Sequence, residues 1–141
     1  MTSTRIYIPL NASGLRSLDA DRVLAGAPFL AHAVTAAVRA SAPGAGRDQW
    51  EYTALSDATR SSAARLTPGE SRRLVAAADV PADVVGPAAP GSSIDESAVS
   101  VTESIALNRI ASFHVDGDNS DEDDELLWYD VTELPAILAI L

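Results

Sequence analysis

The densest group of chemistry-bearing side chains is the run Asp116-Gly117-Asp118-Asn119-Ser120-Asp121-Glu122-Asp123-Asp124-Glu125. Carboxylates at alternating positions can surround a hard cation such as Ca²⁺. Asp116, Asp118, Asp121 and Asp123 are therefore the metal-ligand candidates of this chain. The spacing fits a twelve-residue calcium loop poorly. Counted from Asp116, the sixth position is Asp121, where the turn needs glycine, and the twelfth is Leu127, where a glutamate is needed. Counted from Asn119, the twelfth position is Asp130, but the sixth is Asp124. The same residues also read as the start of a helix. Ser120 then caps it, Asp123 lies in the first turn, and the acids interact favourably with the helix dipole. The helix start is the expectation, and no metal or cofactor is assigned.

A second group sits at the ends of expected strands. Asn11, Thr35, Asp79 and Asp116 each fall at or just after the last residue of one. In open α/β sheets ligands bind beyond the carboxyl ends of the strands, so parallel neighbours would bring these side chains together. Asp79, His114 and Asp116 would then form a catalytic or ligand-binding trio, as acid and base or as holders of Mg²⁺. Asp and Asn are also ordinary turn formers. His32 and His114 are the only histidines, and no His-x-x-x-His pair exists. Packed, hydrogen-bonded histidines are expected. Ser112, His114 and Asp116 alternate along one strand, which puts them on one face without nucleophile geometry. Gly44-Ala45-Gly46 precedes a helix, but no strand feeds it and no Gly-Lys-Ser/Thr follows, so it is not a phosphate loop. The absence of cysteine removes disulfides, thiolate nucleophiles, zinc–thiolate sites and iron–sulfur clusters.

The C-terminus offers an interaction surface instead. Leu127, Val131, Leu134, Leu138 and Leu141 are spaced as a helical stripe, interrupted by Pro135. Leu134 to Leu141 carries no charge. Burying its Leu and Ile side chains is worth roughly 7–15 kcal/mol gross, at about 1.5–3 each. That is comparable with the stability of a whole domain. The tail must either dock on its own core or cover a partner or a second copy. Trp128 and Tyr129 are anchors if exposed, since large aromatics dominate interface energetics. The interaction candidates are Trp128, Tyr129, Leu134, Leu138 and Leu141.

The elements that must position these groups can be read along the chain. Arg5 to Pro9 is a strand, and Asn11 to Ala25 a helix with Leu15, Leu18 and Leu24 on one side. Phe29 to Thr35 is a second strand, followed by a short helix over Ala36 to Ala40. A helix starts at Asp48, with Glu51 in a capping-box position, and ends at Thr67-Pro68-Gly69. Arg73 to Val80 is a third strand whose continuous apolar run implies burial on both faces. Residues 86–97, rich in Pro, Gly and Ser, make a mobile loop. Ala98 to Thr102 and Arg109 to Val115 are the fourth and fifth strands, and a helix runs from about Ser120 to Leu134. These elements imply one α/β domain over residues 1–141, with a mainly parallel or mixed sheet of four to five strands covered by helices and a C-terminal amphipathic helix.

Bulk properties narrow the partners. The chain has 141 residues, 20 acidic side chains and ten basic ones, for a net charge of −10. All the bases are arginine, and Asp116 to Leu141 holds nine acids and no base. An acidic chain whose only adjacent bases are Arg72-Arg73 is a poor binder of phosphate backbones, so nucleic acid is not an expected partner. The longest uncharged apolar run, Val23 to Val38, is broken by Pro28 and His32 and is too short to span a membrane. No secretion-signal pattern opens the chain, and a cytoplasmic location is expected.

Several segments carry a resemblance. They are Arg5-x-Tyr7-x-Pro9, Ala33-Val34-Thr35, Glu51-Tyr52-x-Ala54-Leu55, Arg72-Arg73-x-Val75-Ala76-Ala77-Ala78-Asp79-Val80-Pro81, His114-Val115-Asp116 and Glu125-Leu126-Leu127-Trp128-Tyr129 with Glu133-Leu134. The chain resembles an uncharacterised family of short actinobacterial proteins known only as a domain of unknown function. The likeness covers nearly the whole chain, and Leu-Leu-Trp-Tyr is its most specific part. It implies lineage and no activity. In that family the acidic insert before the last helix is often longer than it is here.

The expected function is a non-enzymatic protein-interaction or regulatory module, with an unknown protein partner or self-association through the C-terminal segment. The alternative is a small enzyme, or a ligand or metal binder, using the carboxylates at the strand ends. It requires Asp79, His114 and Asp116 to share one pocket.

Overall fold

The computed structural model describes residues 2–141. The longest strands are β1 (Ser3–Leu10) and β4 (Leu74–Pro81), which pair along their whole length from Ser3↔Pro81 to Leu10↔Leu74. β3 (Phe29–Ala33), β6 (Ala98–Val101) and β5 (Val85–Pro87) extend the sheet on one side, and β8 (Ile110–Val115) and β9 (Leu127–Asp130) on the other. The order is β5-β6-β3-β1-β4-β8-β9, and every pairing is antiparallel. β2 (Val23–Leu24) and β7 (Ile105–Ala106) form a separate two-stranded ribbon.

The expectation of a mainly parallel or mixed sheet of four to five strands is therefore wrong. The reason is specific. The apolar run in β4 signals burial on both faces, and an antiparallel strand covered on both faces carries the same pattern as a parallel one. Residues Leu74 to Ala78 are all fully buried. On one face Ile6, Ile8, Leu74, Ala76, Val80, Phe113 and Val115 meet Leu15 and Leu18 of α1 (Ala12–Asp21) and Leu134 and Ile137 of α4 (Leu134–Ile140). On the other, Tyr7, Val75 and Ala77 meet Ala54 and Ala58 of α3 (Arg47–Ala63). A short α2 (Ala36–Ser41) precedes α3.

Ser62 fastens α3 to the sheet. Its hydroxyl donates to the Leu10 carbonyl at 2.6 Å and accepts from the Leu74 N–H at 2.8 Å. The buried hydroxyl thus satisfies a backbone group at one end of each long strand, where an unpaired group would be costly.

The expected helix from Ser120 to Leu134 is not formed. Residues 116–126 are irregular, and Leu127-Trp128-Tyr129, rich in strand formers, pair with β8 instead. The helix start lies further on. The Asp130 carboxylate accepts from the Thr132 N–H at 3.0 Å, and Glu133 accepts from the Asp130 N–H at 3.1 Å. This capping box opens a short turn that runs into α4, with Pro135 in the first helical turn, where its missing N–H costs nothing. The box expected at Asp48 and Glu51 is likewise displaced: α3 begins after Gly46, with no side-chain cap. No helix among the described residues is long and apolar enough to cross a membrane.

Candidate functional site

The acidic segment is shaped by two arginines that immediately precede β4. The Arg73 guanidinium grips the Asp116 carboxylate with two bonds, Nε to Oδ2 at 2.8 Å and Nη2 to Oδ1 at 2.7 Å. It also donates to the carbonyls of Asp121, Glu122 and Asp124 at 2.8–2.9 Å. Both ends of this pair are buried, Arg73 at 8% and Asp116 at 4% exposure. The bond to Asp116 outweighs burial and holds Arg73 more firmly charged than usual. Arg72 donates to the Asp116 carbonyl at 2.9 Å and to the Asp118 carboxylate at 2.5 Å. The loop is thus pinned from inside while the side chains of residues 121–125 face solvent.

The four metal-ligand candidates do not converge. Asp116 is occupied by Arg73 and Asp118 by Arg72, while Asp121 accepts from the Asp123 N–H at 2.9 Å. A groove of about 310 Å³ lies between the loop and α3, lined by Tyr52, Leu55, Thr59, Glu125 and Leu126, with Arg73 among its walls. The Tyr52 hydroxyl donates to Glu125 at 3.1 Å and closes one end.

Beside the groove α3 packs chiefly on β1, β3 and β4; on this side of β8 Ser112 is buried and His114 half-buried, and Trp128 of β9 stands exposed. Across the strands Val75, His114 and Trp128 stand in one row. Trp128 is 62% exposed and Tyr52 50%. Leu126, two residues before Trp128, tucks into the α3 side of the core. Alternation sends Tyr129 to the opposite face, where it packs half-buried against the main core. Leu134 is buried in that same core, and Leu138 and Leu141 pack half-buried against it.

The strand-end group does not assemble. Asn11 caps α1, accepting from the Gly14 N–H at 2.7 Å, and Thr35 caps α2, accepting from the Val38 N–H at 3.1 Å. Asp79 forms a two-bond pair with Arg5 at 2.8 and 2.9 Å, which holds its carboxyl below the ordinary range. Asp116 follows Val115, which lies across from Leu74 at the start of β4, whereas Asp79 stands five residues further along. Asp116 itself is level with Arg73, six residues from Asp79, so at about 3.4 Å per residue the two carboxylates are on the order of 20 Å apart along the strand. Antiparallel pairing is the cause: strand C-termini alternate between the two edges of the sheet. His114 sits opposite Val75, nearer Asp116 than Asp79, with Nε2 3.3 Å from the Ser112 hydroxyl. Burial, and more weakly Arg5, lower its pKa.

Residues 4–138 match the model of a family described as a family of unknown function, DUF6912. The chain belongs to this family. No curated protein and no solved structure matches it. The DUF6912 match takes in both arginines of the clamp, the acidic loop, Tyr52 and Trp128.

One polar cluster of this DUF6912 chain has no counterpart in the sequence reading. His32 on β3 is fully buried, and its Nδ1 lies 2.8 Å from the Ser97 hydroxyl, which donates to Asp57 on α3 at 2.7 Å. Arg60 pairs with Asp57 and reaches Asp95 at 3.5 Å. Ser97 has one proton and gives it to the carboxylate, so it accepts from His32 Nδ1–H. This fixes the neutral tautomer, with a bare lone pair on Nε2, which has no partner among the described residues. Burial lowers the His32 pKa, with Asp95 and Asp57 pulling the other way. His32, Asp57 and Asp95 bring one potential metal-ligand atom each within 4.8 Å; Ser97 and Arg60 already engage His32 Nδ1 and the two carboxylates, and His32 Nε2 alone is left without a partner among the described residues. The cluster ties the loop before β6 to α3. Only the β3–β6 pairing, which has no local signal, brings its members together.

Proposed function

We propose that this chain is a non-enzymatic interaction module that binds a positively charged, extended segment of a partner protein on the open face beside the acidic loop. The exposure of Trp128 carries this reading. A tryptophan left 62% in solvent, on the strand that follows a run of outward carboxylates, one of them bonded to the half-exposed Tyr52, is a surface suited to guanidinium and ammonium groups. Each cation over an aromatic ring contributes about 0.5–1 kcal/mol at exposed sites. The five consecutive exposed acids from Asp121 to Glu125 steer a basic partner in and raise its association rate. The clamp by Arg72 and Arg73 means that little of the loop must be ordered on binding.

β9 supports an extended partner, because it is the terminal strand of the sheet. The Asp130 N–H is taken by Glu133, so the Trp128 main chain, two residues before it, offers its polar groups to the same outer edge. A peptide strand can add there. Self-association through this surface is disfavoured, since it would bring two acidic loops together. The C-terminal apolar tail is assigned to the chain's own core in this reading.

The test uses a Trp50→Phe chain, which leaves Trp128 as its single tryptophan, titrated with an extended peptide of alternating Arg and Val. A saturable blue shift that weakens with salt is expected. Trp128→Ala with Tyr52→Ala, followed by calorimetry, is expected to abolish the binding. Equal affinity in that double variant, or no binding even at low salt, sinks the proposal.

A further inference from the structure

Toward the N-terminal end of α3, three of the ten arginines meet around one concavity. Arg5, Arg39 and Arg47 line a pocket of about 380 Å³, together with Tyr7, Trp50 and Glu51. That volume lies in the range of small-ligand sites. The concentration is notable in a chain of net charge −10.

The three guanidiniums are not equivalent. Arg5 spends Nε and Nη2 on Asp79 and keeps Nη1 without an acceptor among the described residues. Arg47 meets Glu51 at a loose 3.4 Å and is otherwise in solvent. Arg39 has no carboxylate or hydrogen-bond acceptor among the described residues and lies over the Trp50 ring, 5.9 Å from its centre. Trp50 is itself held by its Nε1 donating to the Ala42 carbonyl at 3.0 Å, so the platform under Arg39 is fixed. Tyr7 donates to Glu51 at 3.2 Å, turning that carboxylate toward the sheet. The pocket mouth is left with unspent, forked N–H donors. At the same end of α3, Gly46 provides no side-chain cap, and the N–H groups of Arg47 and Asp48 lack acceptors among the described residues.

We propose that this pocket binds a small ligand carrying a phosphate group. Planar guanidinium forks match the oxygens of phosphate two at a time. With Arg5 paired to Asp79 and Glu51 in the lining, one positive charge is left uncompensated to favour an anion. The acidic loop comes as near as Tyr52, whose hydroxyl holds Glu125 five residues along α3 from Arg47, about 7.5 Å at 1.5 Å per residue. That is roughly one screening length at physiological salt, so the field of the loop is reduced at the pocket and binding rests on the guanidinium forks themselves. The site is distinct from the open face at Trp128 and does not depend on its function.

A Trp128→Phe chain leaves Trp50 as the sole reporter, in the platform itself. Pyrophosphate, inorganic phosphate, ATP and citrate would be titrated at matched ionic strength. Saturable changes in Trp50 emission are expected with pyrophosphate or ATP, and ATP binding more tightly would identify a phosphate borne on a larger body. Citrate is expected to bind at least about tenfold more weakly. Arg39→Ala should weaken pyrophosphate by about tenfold or more, the loss of one charge-assisted fork, and Arg39→Ala with Arg47→Ala should remove saturation. Both arginines are exposed, so circular dichroism should show these variants folded. Absence of saturation in the parent chain, tighter binding of citrate, or affinity unchanged in the double variant overturns the proposal.

Discussion

Replacing Arg73 with methionine tests how the acidic loop is held. The substitution keeps the length and apolar character of the stem but deletes the guanidinium that satisfies the buried Asp116 carboxylate and three loop carbonyls. Breaking a buried pair by removing one partner costs about 3–5 kcal/mol, because the other charge stays buried and uncompensated. With a urea m-value of about 2 kcal/mol/M, the midpoint of unfolding should fall by roughly 2 M. The carbonyls of Asp121, Glu122 and Asp124 contribute less, since water can reach the opened loop. Adding Asp116→Leu to Arg73→Met removes the orphaned charge, and the double variant should recover more than half of the lost stability. Equilibrium urea unfolding followed by far-ultraviolet circular dichroism measures both. A midpoint shift under about 0.5 M for Arg73→Met would refute the clamp, as would a double variant no more stable than the single one.

Two further outcomes follow from burial and charge. Ile137→Ala, at a fully buried side chain of α4, should cost about 2–5 kcal/mol, whereas Ile140→Ala, at 41% exposure, should shift the urea midpoint little; equal costs would contradict the packing of α4. Burial lowers the pKa of both His32 and His114 below the unfolded value of about 6.5. The unfolded chain then binds more protons, so stability is greatest above that value and falls as pH drops through it toward the folded values. His32→Asn should flatten part of the slope of unfolding free energy between about pH 6.5 and 5; an unchanged slope would show that His32 charges freely in the fold.

Much of the strand pattern was legible, and its direction was not. Arg73 to Val80 reads as a buried strand because every side chain from Leu74 to Ala78 lacks solvent, and β4 occupies nearly those residues. Nothing in that run distinguishes parallel from antiparallel neighbours, and the proposed meeting of Asp79 with Asp116 failed for this reason. The helix drawn through Leu127, Val131 and Leu134 failed differently. A strand, a capped turn and a helix can place apolar residues at the same intervals, and Leu127 ends 51% exposed, against Gly117, rather than in a helical stripe. Trp128 and Tyr129 could be named as anchors from composition, but only the strand state says that one faces outward and the other inward. Arg5, Arg39 and Arg47 are far apart in sequence, and only the placement of β1, α2 and α3 makes them neighbours.

The neighbouring residues Arg72 and Arg73 reach to opposite sides of the sheet. Arg73 holds the acidic loop on the α3 side, while Arg72 joins the start of that loop, at Asp116 and Asp118, to the Ile140 carbonyl of α4 at 3.2 Å on the other. Sliding β4 by a single residue would put Ser71 in the place of Arg72, or Leu74 in the place of Arg73, so one of the two partners would lose its cation while every core side chain also changed sides. Alignment of the central strand and the fit of two surface appendages are therefore enforced by the same dipeptide. A misaligned chain is penalised at once in its interior and at either its last helix or its most highly charged loop.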